Sequence, residues 1–180
     1  MPMRGVALAA VLLPSLALAQ AHQHGRSTVM ITFEGKRLAI EVVAPGPDIV
    51  GYERPPQSAA EQQALAAAVA LLKTPSALID LPAAARCTLD EAEVTVEGYD
   101  APAAGAPAAA HTEFEAAYMF TCVDPSAIRV IGFPFFAKFP NSAELEVTLV
   151  TDRGPTVYEV TRDKPRVDRG NALWRWLTGR

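Results

Sequence analysis

An α+β domain, mainly antiparallel sheet packed with one principal helix, is what this 180-residue chain predicts. Three observations carry the expectation. Short β-prone runs recur in pairs across tight turns. One capped, alanine-rich segment has the length and spacing of a helix. Two cysteines stand at the open end of what reads as one long hairpin.

The chain opens on a leader. Arg4 supplies a positive start, Val6 to Leu18 is apolar apart from Ser15 and the break at Pro14, and small residues follow at Ala17, Ala19 and Ala21. Residues 1–21 therefore read as a signal peptide, too short to span a bilayer, and no retained membrane anchor is expected. Cleavage after Ala19 would leave Gln20 first; cleavage after Ala21 would leave His22 first. Residues 22–167 then form one exported domain, and residues 168–180 a basic, tryptophan-bearing tail.

Within the domain, Thr28–Phe33 and Leu38–Val43 form an opening hairpin around Glu34-Gly35-Lys36-Arg37. Ala44-Pro45-Gly46-Pro47 ends the second strand, and 48–56 reads as a loop. Ser58–Lys73 is the principal helix: Ser58 caps it, Glu61 completes a capping box, and Leu65, Val69 and Leu72 make one apolar stripe. Thr74-Pro75 stops it. Cys87–Val96 and Glu113–Cys122 pair antiparallel, with Cys87 and Cys122 joined in an oxidising compartment, so that Glu97 lies near Thr112. Val94 and Val96 differ in parity from Cys87, so a bulge or locally altered pairing is expected between them. The intervening loop, 98–111, is alanine and proline and is expected to be mobile. Ile128–Phe133 reads as a strand, 134–140 as an aromatic connector, and Glu144–Thr151 with Thr156–Thr161 as a final hairpin around Asp152-Arg153-Gly154. Trp174 and Trp176 in the tail dock on the domain or touch a partner.

Composition excludes some functions. With 16 basic and 20 acidic side chains the formal charge is −4, so a general nucleic-acid binder with a phosphate-neutralising face is not expected. Ser58 and Ser142 lack a histidine–acid context and there is no glycine-rich phosphate loop, so no catalytic residue is assigned. Asp48, Glu53 and Arg54 read as solvated loop residues. Metal ligation rests on three histidines, His22, His24 and His111. Imidazole suits zinc, copper and nickel, and a free amine on His22 with His24 in third place would suit planar copper or nickel. His111, beside Glu113 and across the loop from Asp100, could complete a site if the N-terminus folds back.

Several landmarks occur in a fixed order: Ala21-His22-Gln23-His24-Gly25, then Asp48-Ile49-Val50-Gly51-Tyr52-Glu53, then Cys87 before a strand. Tyr118-Met119-Phe120-Thr121-Cys122, Phe133-Pro134-Phe135-Phe136 through Phe139-Pro140, and Lys164-Pro165-Arg166 complete the series. Together they resemble the zinc-regulated periplasmic protein family across residues 21–167. The resemblance implies a soluble periplasmic zinc binder that assists zinc acquisition beside an ABC uptake system. It also implies histidine-rich sequence between the two cysteine-linked strands, where this chain has alanine and proline and keeps only His111. The expected function is therefore zinc binding in metal homeostasis, through His22, His24 and His111. The alternative is a non-catalytic adaptor without metal, its partner contacts made by Phe135, Phe136, Trp174 and Trp176. A periplasmic enzyme ranks last.

Overall fold

The computed structural model describes residues 25–100 and 111–169. Eight strands, two short helices and one long helix follow in the order β1 (Arg26–Glu34), β2 (Arg37–Pro45), α1 (Gly46–Val50), α2 (Ala59–Leu72), β3 (Cys87–Glu97), β4 (Glu113–Cys122), β5 (Val130–Gly132), α3 (Phe135–Lys138), β6 (Glu144–Thr151), β7 (Gly154–Thr161) and β8 (Arg166–Asp168). Six strands make one sheet in the order β3-β4-β2-β1-β6-β7, and β5 pairs with β8 beside it. Every pairing is antiparallel except β1 with β6. The α+β class, the one long helix and the Cys87–Cys122 disulfide are as the sequence predicts.

Alternation makes the sheet one-sided. In β4, Phe114, Ala116, Tyr118, Phe120 and Cys122 face the core and the intervening residues face out. Val29 and Ile31 of β1, Leu38, Ile40 and Val42 of β2, and Leu145, Val147 and Leu149 of β6 continue the same apolar layer. The expected bulge is present: the β3–β4 register shifts between Leu89 and Glu91, which returns Ala92, Val94 and Val96 to the face of Cys87. Because Asp90 consumes one position, Glu97 faces Glu113 rather than Thr112.

Helix α2 packs on the core face of the sheet. α2 is capped by Ser58, whose Oγ accepts the Glu61 N–H at 3.2 Å, and it docks through Ala68 and Leu72. The buried Tyr118 hydroxyl donates to the Leu72 carbonyl at 2.6 Å, satisfying an end-of-helix acceptor. The Glu61 carboxylate accepts the Gln57 N–H at 2.6 Å, one residue before the cap, and also interacts with the Ser58 N–H, the contact the capping box expects.

Three expectations are corrected. The segment 48–56 is not all loop: α1 begins at Gly46, with Pro47 in its first turn and Gly51 in left-handed conformation closing it. The aromatic connector folds as α3, and Phe135 and Phe136 are 2% and 3% exposed, so neither presents a ring to a partner. Their burial follows from α2's narrow footprint, since a wide sheet face needs large side chains to cover what one alanine-rich helix leaves open. Arg162 holds this connector by donating to the carbonyls of Phe136, Pro140 and Ser142. Finally, the strand read at 128–133 is only Val130–Gly132, and its partner β8 lies where the sequence reading placed the end of the domain.

Candidate metal centre

The sheet's directions decide where the nominated histidines can meet. β1 and β4 both run antiparallel to β2, so they run parallel to each other and begin at the same end of the sheet. Whatever precedes each strand emerges there. His24 lies one residue before Gly25, and His111 two residues before Glu113. β2 ends at the same edge on Pro45, paired with Glu113, so the two strand starts stand two inter-strand spacings apart, about 10 Å.

α1 ties the two starts together. The Gly46 N–H donates to the Thr112 carbonyl at 2.8 Å, next to His111. Two residues on, the Asp48 carboxylate accepts the Gly25 N–H at 2.7 Å and the Ser27 hydroxyl at 3.4 Å. Asp48 is 2% exposed, so the reading of it as a solvated loop residue is overturned. A buried carboxylate needs donors of this kind, and here they fix the first described residue of the chain.

Glu53 and Arg54 are likewise engaged. Arg54 pairs in a two-pronged fashion with Glu61 at 2.9 and 2.7 Å and lies over the Tyr52 ring. That pairing, followed by the Gln57 N–H, pulls the Glu61 carboxyl down to about 2. The Tyr52 hydroxyl donates to the Glu61 carbonyl, and the Tyr99 hydroxyl donates to the Tyr52 carbonyl at 2.8 Å. Tyr99, inside the segment expected to be mobile, is buried against Tyr52 and Phe114, and burial pushes its phenol up to about 12. The remaining loop positions expected to be mobile, 101–110, lie outside the described residues. These contacts leave Glu53 Oε1 at 3.9 Å from the Nδ1 of His111, an exposed imidazole.

Of the nominated ligands, His111 and its neighbour Glu113 sit at the α1 end of the sheet, with Glu53, which the sequence does not nominate, beside His111. His22 and His24 lie outside the described residues, as do Trp174 and Trp176. Among the described residues no three His, Cys, Asp or Glu side chains are grouped so as to hold a metal ion. One imidazole with one nearby carboxylate falls short of the four ligands a closed zinc site uses, so the described residues alone do not fit zinc. Both cysteines are in the disulfide and contribute no thiolate. A cleft of about 250 Å³ lined by Ile79, Asp80, Arg86, Cys87 and Phe120 lies at the other end of the β3–β4 hairpin and contains none of the nominated ligands.

The fold is a disulfide-clipped α+β domain built on a six-stranded sheet with a two-stranded one beside it. No helix among the described residues is long and apolar enough to cross a membrane. The chain belongs to the ZrgA family of zinc uptake proteins, which it matches over residues 21–169. That family is an uptake accessory and not a class of enzyme, and its match begins at the residue before His22. No curated protein matches the chain.

Proposed function

We propose that this protein is a periplasmic accessory of zinc uptake that holds zinc transiently through imidazoles, at the sheet end where β1 and β4 begin. The observation that carries the reading is the shared origin of those strands: Asp48 fixes the chain directly after His24, and Gly46 fixes it directly after His111. His22, His24 and His111 would then serve one ion, with Glu53 beside them. Neutral imidazole is the ligand form, so affinity falls as pH drops through the histidine range. A site built from few ligands suits handoff to zinc ABC uptake components better than storage. The amine of His22, if first in the mature chain, would turn the same segment toward copper or nickel.

The test is competitive zinc and copper titration of the exported protein with its N-terminus sequenced, repeated on His22→Ala/His24→Ala and on His111→Ala. One zinc per chain, weakened by either variant, is the expected result. Zinc binding untouched by His111→Ala would remove the shared site. Absence of any zinc binding would leave the second reading, a non-catalytic adaptor, which the lack of a three-donor group among the described residues favours.

A further inference from the structure

Among the described residues, the face of the sheet opposite the core carries exposed side chains and is strongly acidic on one side. Outward positions of β2, β4 and β3 carry Glu41, Glu91, Glu93, Glu97, Glu113 and Glu115 against a single basic residue, Arg37. Glu97 and Glu113 face each other directly, an arrangement that opposes pairing. Glu41 and Glu93 flank Ala117 from either side, and none of Glu41, Glu91, Glu93 and Glu115 forms an ion pair among the described residues. Between these carboxylates the side chains are small. Val43, Thr95 and Ala117 leave a groove of about 260 Å³, and Ala39 and Met119 floor a smaller one beside it. Such a face attracts a segment that combines positive charge with flat apolar groups.

The chain contains one such segment in a position to arrive. Residues 170–180 include Trp174, Arg175, Trp176 and Arg180 and no acidic side chain. They leave the described fold at Arg169, whose N–H donates to the Arg129 carbonyl and whose guanidinium lies 3.9 Å over the Phe33 ring. Phe33 is at the β1–β2 turn, one register step from Ala39 and Met119. Six extended residues from Arg169 to Arg175 span about 20 Å. Rounding a layer about 10 Å thick and moving the three residues from Leu38 to Glu41, about 10 Å, takes all of that reach, and the arginine side chain spans the remaining inter-strand step.

We propose that residues 170–180 dock on the outer face of β2, β4 and β3. The two arginines sit among Glu41, Glu91, Glu93 and Glu115, and the indoles cover Ala39, Ala117 and Met119. This assignment does not rest on the zinc reading and holds with or without metal. The contacts are exposed charge pairs, so they weaken as salt shortens the screening length from about 10 Å at 0.1 M to about 3 Å at 1 M.

Trp174 and Trp176 are the only tryptophans in the chain, so indole emission reports the tail alone. The experiment compares emission maximum and acrylamide quenching of the full exported chain with those of a free peptide of residues 170–180. It is run at low and high salt, on the parent, on Glu41→Lys/Glu93→Lys, and on a Glu159→Lys control at the far edge strand. Expected are blue-shifted, shielded indoles in the parent that move toward the peptide values in high salt and in the double variant, but not in the control. Combining Glu41→Lys/Glu93→Lys with Arg175→Glu/Arg180→Glu restores shielding, which a merely misfolded variant would not do. Indoles as accessible as in the peptide overturn the proposal. So does shielding indifferent to Glu41 and Glu93, which places the tail elsewhere, or shielding that appears only as concentration rises, which assigns the face to a second copy.

Discussion

Reducing the Cys87–Cys122 bond should cost about 4 kcal/mol, the loop-closure entropy released to the unfolded chain by opening a loop of 35 residues. The native side of the balance should change little, because Cys122 is fully buried and its neighbours in β4 stay paired with β2. β3 is different. It is an edge strand bonded only to β4, and the disulfide anchors it on the far side of the Asp90 bulge. Urea unfolding of the wild-type chain with and without reductant measures the free-energy loss, and a larger m-value on reduction would report the more expanded unfolded state. Hydrogen exchange then resolves where the loss falls: amides of β3 near Cys87 should lose protection first, those of β1 and β6 last. A loss below about 1 kcal/mol, with β3 as protected as before, would refute the claim that the bond pins this strand's register.

Four other outcomes are expected. Gly46→Ala places a Cβ 2.0 Å from Thr112 Oγ1 and 2.1 Å from the Tyr99 hydroxyl; the overpacking should cost about 1–3 kcal/mol in urea unfolding, and an unchanged midpoint would show that this corner yields freely. Tyr118→Phe strands the Leu72 carbonyl and should cost about 1–3 kcal/mol, with fraying at the end of α2 seen by exchange; equal stability would mean that water replaces the phenol. In acid, Glu61 ionises at about 2 in the fold against an ordinary 4.5, so its stabilisation is complete above 4.5 and disappears as pH falls through about 2. A carboxyl NMR titration at the ordinary value would contradict the Arg54 pairing. On the alkaline side the raised Tyr99 phenol works oppositely: its contribution is whole below 10 and is lost as pH rises through about 12.

Local pattern made most strands legible. The parity mismatch between Cys87 and Val94 points to a bulge or altered pairing, because side chains alternate, and the register shift at Leu89/Glu91 makes it a bulge. The same arithmetic missed by one residue at Glu97, since parity says that a bulge exists but not what it does to the far register. α1 was missed although its signals were present: Pro47 in the first turn, Asp48 near the start, Gly51 at the close. A five-residue helix with one proline before it and one in its first turn looks like a turn until Asp48 is seen to bind Gly25, a contact 23 residues away. The parallel pairing of β1 with β6 is likewise long-range, and nothing in either strand announces its neighbour.

The candidate site illustrates the difference between naming residues and placing them. The histidines could be nominated by chemistry alone, but whether they could act together depended on strand direction. Had β4 run the other way against β2, the chain after His111 would enter the sheet at the opposite end from Gly25. A nine-residue strand would then separate the two, about 30 Å. Because β2 is antiparallel to both, the two histidine-bearing approaches share an end, and α1 closes the gap through Asp48 and Gly46. Glycine at 46 is needed for that closure, since any side chain there would occupy the space of Tyr99 and Thr112. On the proposed reading a metal site would lie at the sheet end where β1 and β4 begin, beside Gly25 and His111.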